Sequence, residues 1–190
     1  MEKIVKQLEE LSTYIPLSDS QKVGVSNASI GWQIDHSLRV MNQVITALLS
    51  SNPAEYKPKF NWRKSYIFFT KKIPRGKVRA PKGVLPTEEI TESSLISSVE
   101  QANKNIVLLG NCEPNHFFVH PFFGQVNVRE TFVFIEVHTE HHLKIIRDIC
   151  KQVPLVYKLK CEWIDSQNFR IYGPNHYDIG SRNLHLHANF

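Results

Sequence analysis

No stretch of this chain offers the roughly 18 consecutive apolar residues that a bilayer-spanning helix needs. The first ten residues, Met1-Glu-Lys-Ile-Val-Lys-Gln-Leu-Glu-Glu, carry early acids and no apolar core, which argues against a secretory signal. Cysteine is scarce: Cys112, Cys150 and Cys161 are scattered and form no Cys-x-x-Cys pair. That set argues against a disulfide scaffold and against a thiolate zinc site, and fits reduced, structural thiols. A soluble, cytoplasmic protein with no membrane contact is the expectation. Acidic residues are missing from one long segment. Between Lys57 and Lys82 stand ten basic residues and no acid, leaving 13 basic against 18 acidic residues elsewhere. The positive formal charge of +5 therefore belongs to one region.

What is present is histidine, nine in 190 residues. Two of them, His138 and His142, stand four apart in Thr131-Phe-Val-Phe-Ile-Glu-Val-His-Thr-Glu-His-His-Leu-Lys-Ile-Ile-Arg-Asp-Ile149. At helical spacing Phe134, His138, His142, Ile145 and Ile149 share one face, which is otherwise apolar. Burying an unpaired polar ring costs about 2 kcal/mol or more. Two imidazoles one turn apart can meet that need by binding one metal ion, or each can be a hydrogen-bonded core residue. A third imidazole, His36, lies on an earlier helical segment.

The remaining pattern reads as helices with long connections. Residues 2–14 form a short amphipathic helix. A second helix runs from about Ser29 to Ser50, capped by Asn27 or Ser29 and stopped at Asn52-Pro53. Trp32, His36, Val40, Gln43 and Ala47 make one stripe on it, and Ile34, Leu38, Met41, Ile45 and Leu48 a neighbouring one. Residues 52–87 are broken by prolines, with a short helical piece from Asn61 to about Thr70. Thr87, followed by Glu88 and Glu89, opens a third long helix that ends at Gly110. Residues 111–124 read as a connection, after which Asn127 caps the last helix. From Leu155 the period drops to two: 155–164, 169–172 and 184–188 read as strands, with Gly180-Ser-Arg-Asn as a turn. The division expected is a helical domain over 1–153 and a β-like extension over 154–190.

Three short motifs carry a family likeness. They are Gly31-Trp-Gln-Ile-Asp-His36, His120-Pro-Phe-Phe-Gly124 before the last helix, and His138-x-x-His141-His142 within it. Together they span about residues 25–150, and the chain resembles the DinB-like superfamily of metal-binding four-helix bundles. The second motif is similar to the His-Pro-x-Phe-Gly signature of an uncharacterised branch. The likeness implies an all-α, DinB-like four-helix bundle with long connections, here followed by a small C-terminal β-like extension without counterpart in the family pattern. It implies that His36, His138 and His142 ligate one divalent metal, with further coordination positions open. Three neutral imidazoles suit zinc, nickel, copper or iron(II), with zinc or nickel foremost. Some members of the superfamily transfer groups through small thiols, and many have no known activity.

Other residues have competing readings. His141, one position off the ligand face, is read as supporting a ligand or lying on the surface. His116 and His120 are read first as packing residues, His120 through a hydrogen bond to backbone, with a place at the metal's mouth as the sharper alternative. His185 and His187 are read as exposed tail residues. Asp35, Glu136 and Glu140 are the carboxylates near enough in sequence to orient a ligand. In the basic segment, Arg75, Lys77 and Arg79 are candidate donors to an anionic small molecule, such as an acidic thiol, beside the metal. Nucleic acid is disfavoured, because Phe60, Trp62, Tyr66, Phe68 and Phe69 fall at a 3–4 residue spacing that favours packing. A homodimer is compatible with the pattern. The function expected is that of a metal-dependent enzyme, a small-molecule thiol transferase ahead of a hydrolase. The alternative is a non-catalytic protein that binds metal or a small anion.

Overall fold

The computed structural model describes residues 1–75 and 89–151 in full, and the backbone of three strands beyond them. The described chain is mostly helical: α1 (Glu2–Thr13), α2 (Ile30–Leu49), α3 (Trp62–Thr70), α4 (Glu92–Gly110) and α5 (Val128–Lys151). Two strands, β1 (Phe117–His120) and β2 (Gly124–Asn127), precede α5. A second unit, residues 150–190, holds β3 (Lys160–Trp163), β4 (Asn168–Tyr172) and β5 (Asp178–Asn183) as an antiparallel meander in that order. No helix among the described residues is long and apolar enough to cross a membrane.

Each long helix begins where a side chain satisfies its first orphan N–H groups. Ser29 Oγ accepts from the Trp32 N–H at 3.2 Å and starts α2. Asn127 Oδ1 accepts from the Glu130 N–H, while Glu130 Oε2 accepts from the Asn127 N–H, a reciprocal box that starts α5. The third long helix starts later than its sequence pattern suggests. Residues 89–91 are not helical, and Thr91 is the cap, because Thr91 and Ser94 satisfy each other's backbone N–H groups. The acids at 88 and 89 gave a dipole signal, but only Thr91 completes the box.

Leu8, Leu11, Ile34, Leu38, Ile45, Leu48, Leu95, Leu109, Leu143, Ile146 and Ile149 form a core with almost no exposure. Asn42 ties α2 to α4, donating to the Ser98 carbonyl and accepting from Asn105. Gln7 ties α1 to α5, donating to the Glu136 carbonyl at 3.1 Å and to Glu140 at 3.2 Å. Gly31 marks a close approach. Its N–H donates to the Ser18 carbonyl at 2.7 Å, and a Cβ there would stand only 3.0 Å from Ser18. The first turn of α2 is thereby seated against the end of the segment that follows α1. The stripe holding Trp32 and His36 is turned inward as far as Val40, whereas Gln43 and Ala47 are exposed.

Three further expectations are corrected. The 111–124 connection contains a hairpin: Phe118 pairs with Val126 and His120 with Gly124. Gly124, at φ +70°, takes the left-handed conformation that closes its three-residue loop. In the second unit, β5 runs through Gly180-Ser-Arg-Asn, so that quartet is strand and not turn. The strand expected at 184–188, with His185 and His187, lies outside the described residues. The aromatics of 60–69 do not pack as their spacing suggests. Phe60 and Phe69 are 89% exposed, Trp62 and Tyr66 are also exposed, and Phe68 alone meets a partner ring, Phe123. Helical spacing defined a face, but most of it stays exposed.

Candidate metal centre

α2 and α5 bring three imidazoles together. One ring nitrogen from each of His36, His138 and His142 lies within 4.8 Å of the others. Ring centroids are 5.3 Å apart for His36 and His138, 4.9 Å for His36 and His142, and 4.7 Å for His138 and His142. His36 and His142 are buried, at 5% and 6% exposure, and His138 is partly exposed. The i, i+4 spacing on α5 stacks His138 and His142 one turn apart, and His36 faces them from the first turns of α2.

Each ring is held by a neighbour. Trp32 stacks on His36 with centroids 4.9 Å apart and planes within 9°. Phe134 stacks on His138 at 5.6 Å. His142 Nδ1 lies 2.6 Å from Gln33 Oε1, inside the protein. An amide oxygen only accepts, so Nδ1 carries the proton and Nε2 keeps its lone pair. Gln33 is itself fixed, donating from Nε2 to Ser26 Oγ at 3.2 Å. This is the arrangement in which an outer partner sets the tautomer and direction of a ligating imidazole.

The three carboxylates near in sequence do not play that part. Asp35 binds Arg39 through two contacts, at 3.0 and 3.1 Å. Glu136 accepts from Lys3 and Lys71, and although burial pushes its carboxyl up, those two lysines bring it below the ordinary range. Glu140 is likewise pushed up by burial but held low overall by Arg147 and Gln7. The orienting residue is neutral Gln33, which the sequence reading missed. Its signal was a polar side chain three residues before His36 inside an otherwise apolar helix face.

Burial lowers the pKa of both His138 and His142 well below the usual imidazole value, and neighbouring imidazoles add to the shift. Both rings are therefore neutral at pH 7, the state that ligates metal. His141 is half-buried, its ring 5.1 Å from that of His142. Burial lowers its pKa too, and it stands beside the trio without joining it. His120 sits in the hairpin loop. Its Nδ1 accepts from the N–H groups of Phe122 and Phe123, and its ring stacks on Phe123 at 4.2 Å. Burial brings its pKa to about 4. It packs edge-on against Phe134, one ring removed from His138. His116 is elsewhere, bonded to Ser51 and to the Leu48 carbonyl. Burial raises the pKa of both described thiols, Cys112 and Cys150, so neither is a poised thiolate.

Of the basic candidates, Arg75 pairs with Asp148 at 2.8 Å, and Lys77 and Arg79 lie outside the described residues. The donor set fits a transition metal. The ligand nitrogens of a tetrahedral zinc lie about 3.3 Å apart, given bonds of about 2.0–2.1 Å. The three nitrogens, within 4.8 Å of one another, need to close by at most about 1.5 Å to reach that spacing. No protein-family model, no curated protein and no solved structure matches this chain.

Proposed function

We propose that the chain binds one divalent transition metal, zinc or nickel, through His36, His138 and His142. We further propose that α1, α2, α4 and α5 form a DinB-like four-helix bundle around it, and that the site acts on a small thiol and an electrophile. The observation that carries this reading is the convergence of three imidazoles from two helices, with the Nδ1 of His142 already committed to Gln33. A divalent ion with three imidazole ligands and further positions open supplies Lewis acidity that activates a thiol or a water at neutral pH.

The chain's own residues prepare that site in three ways. Gln33 aims the Nε2 of His142 inward. Trp32 and Phe134 fix the planes of His36 and His138. Burial keeps His138 and His142 unprotonated. Holding a small electrophile against such a site would add rate by proximity.

A second reading, a protein that binds metal or a small anion without catalysis, has one observation in its favour. Asp35, Glu136 and Glu140 are all committed to ion pairs, so none of them is free to act as a general base. One experiment separates the two. Metal-loaded, untagged protein is assayed with a panel of cellular thiols and a chromogenic electrophile, beside a panel of esters and amides. Turnover abolished by chelation and by His142→Ala supports the enzyme. Full metal loading with no turnover in either panel supports the binding protein.

A further inference from the structure

A cleft of about 350 Å³ lies between α5 and the segment that follows α3. That is the small end of the range for ligand clefts, about 300–1,000 Å³. Val137, His141 and Lys144 line it from α5, at the spacing of a single helix stripe. Lys71, Lys72 and Arg75 line it from the opposite side. No carboxylate is among its described lining residues. Glu136 and Asp148 hold Lys71 and Arg75, each at 2.8 Å. Lys72 and Lys144 make no ion pair among the described residues, and Glu140, one turn before Lys144, is committed to Arg147 and Gln7. The cleft therefore keeps two ammonium groups outside any ion pair among the described residues, flanked by two further cations.

His141 joins this cleft to the metal centre. Its ring lines the cleft, beside Ile73, and stands 5.1 Å from the ring of His142. Val137, also in the lining, precedes His138 directly.

We infer that this cleft binds the oxyanion group, carboxylate or phosphate, of the small molecule handled at the three-histidine site. The inference rests on the metal-centre reading for its second half, and on the cleft alone for its first. Lys72 and Lys144 are the principal donors. Lys71 and Arg75 add field but keep their own carboxylates. Because the lysines are exposed, binding is weak and salt-sensitive, and low ionic strength is the condition that reveals it.

Calorimetric titration of the full chain at low salt, with inorganic phosphate and separately with succinate, tests this. The proteins are wild type, the Lys72→Gln/Lys144→Gln pair, and the Lys57→Gln/Lys59→Gln pair as an equal loss of charge elsewhere. Saturable binding of either probe is expected. It should weaken at least tenfold in the first pair, stay within twofold in the second, and persist in chelated protein. No saturable binding, or equal weakening in both pairs, overturns the inference. Binding that chelation abolishes and the lysine variants leave intact also overturns it, since the anion would then sit on the metal. Metal content is measured on the same samples. Intact phosphate binding in protein that takes up no metal would overturn the link to the metal centre and uphold the cleft.

Discussion

Helix α5 has two polar faces, and they are built on opposite rules. Toward α1 and the segment after α3, charge meets charge. Arg147 grips both oxygens of Glu10 and reaches Glu140, and Lys3 and Lys71 share one oxygen of Glu136. Toward α2, three imidazoles meet one another, and the one hydrogen bond resolved at His142 goes to a neutral amide. The ion pairs of the first face satisfy one another within the chain, so they need no ligand to account for them. On the second, protonating any ring would place a charge beside two other imidazoles. A cation at the centre of the three rings would remove that conflict by taking a lone pair from each. A chain that spends so many carboxylates on one face of a helix and none on the other distinguishes ordinary packing from a prepared site.

The contrast can be sharpened by removing the amide. Gln33→Leu leaves the Nδ1 of His142 without its acceptor. Metal affinity, measured by competition with a chromophoric chelator, should fall about 10–100-fold. Unchanged affinity would mean that Gln33 only fills space.

Acid should act on the two faces at different pH. An unfolded histidine takes its proton near pH 6.5, whereas folded His120 waits until about 4, and His138 and His142 also protonate well below 6.5. The unfolded state therefore binds more protons through this window, and stability rises with pH across it. In chelated protein the melting temperature should fall as pH drops from 7 to 5. The carboxylates on the α1 side, held below 4.5, add their loss only at lower pH. A melting temperature flat from pH 7 to 5 would contradict neutral burial of the histidines.

The smallest effect belongs to the charged face. Arg147→Met should cost about 1 kcal/mol, since its pairs are about one-third exposed. That is a shift of roughly 2–4 °C for a chain of this size. Metal affinity should not move, and a large loss would show the two faces to be coupled.

Much of this was legible in the sequence, and the failures have a common cause. The i, i+4 histidines, the Ser29 and Asn127 caps and the alternation through 160–163 and 169–172 are local signals, and local structure follows them. Gln33 escaped because its partner is 109 residues away, and spacing along the chain assigns no orienting residue to a histidine. The late start of α4 was decided by which threonine found a reciprocal partner, Thr91 with Ser94. The exposed aromatics of α3 show the same limit from the other side. Spacing tells which residues share a face, and only tertiary structure tells what covers it. The hairpin before α5 was announced only by a short apolar run and Gly124, too little to distinguish it from a connection.

The central claim is that one face of α5 is reserved for a metal ion. Elemental analysis of untagged protein, purified without added metal and then loaded with zinc or nickel, tests it most directly. About one ion per chain is expected in the wild type. Strong loss is expected in each of His36→Ala, His138→Ala and His142→Ala, with His141→Ala keeping most of its metal. Equal retention in all four variants would contradict the assignment.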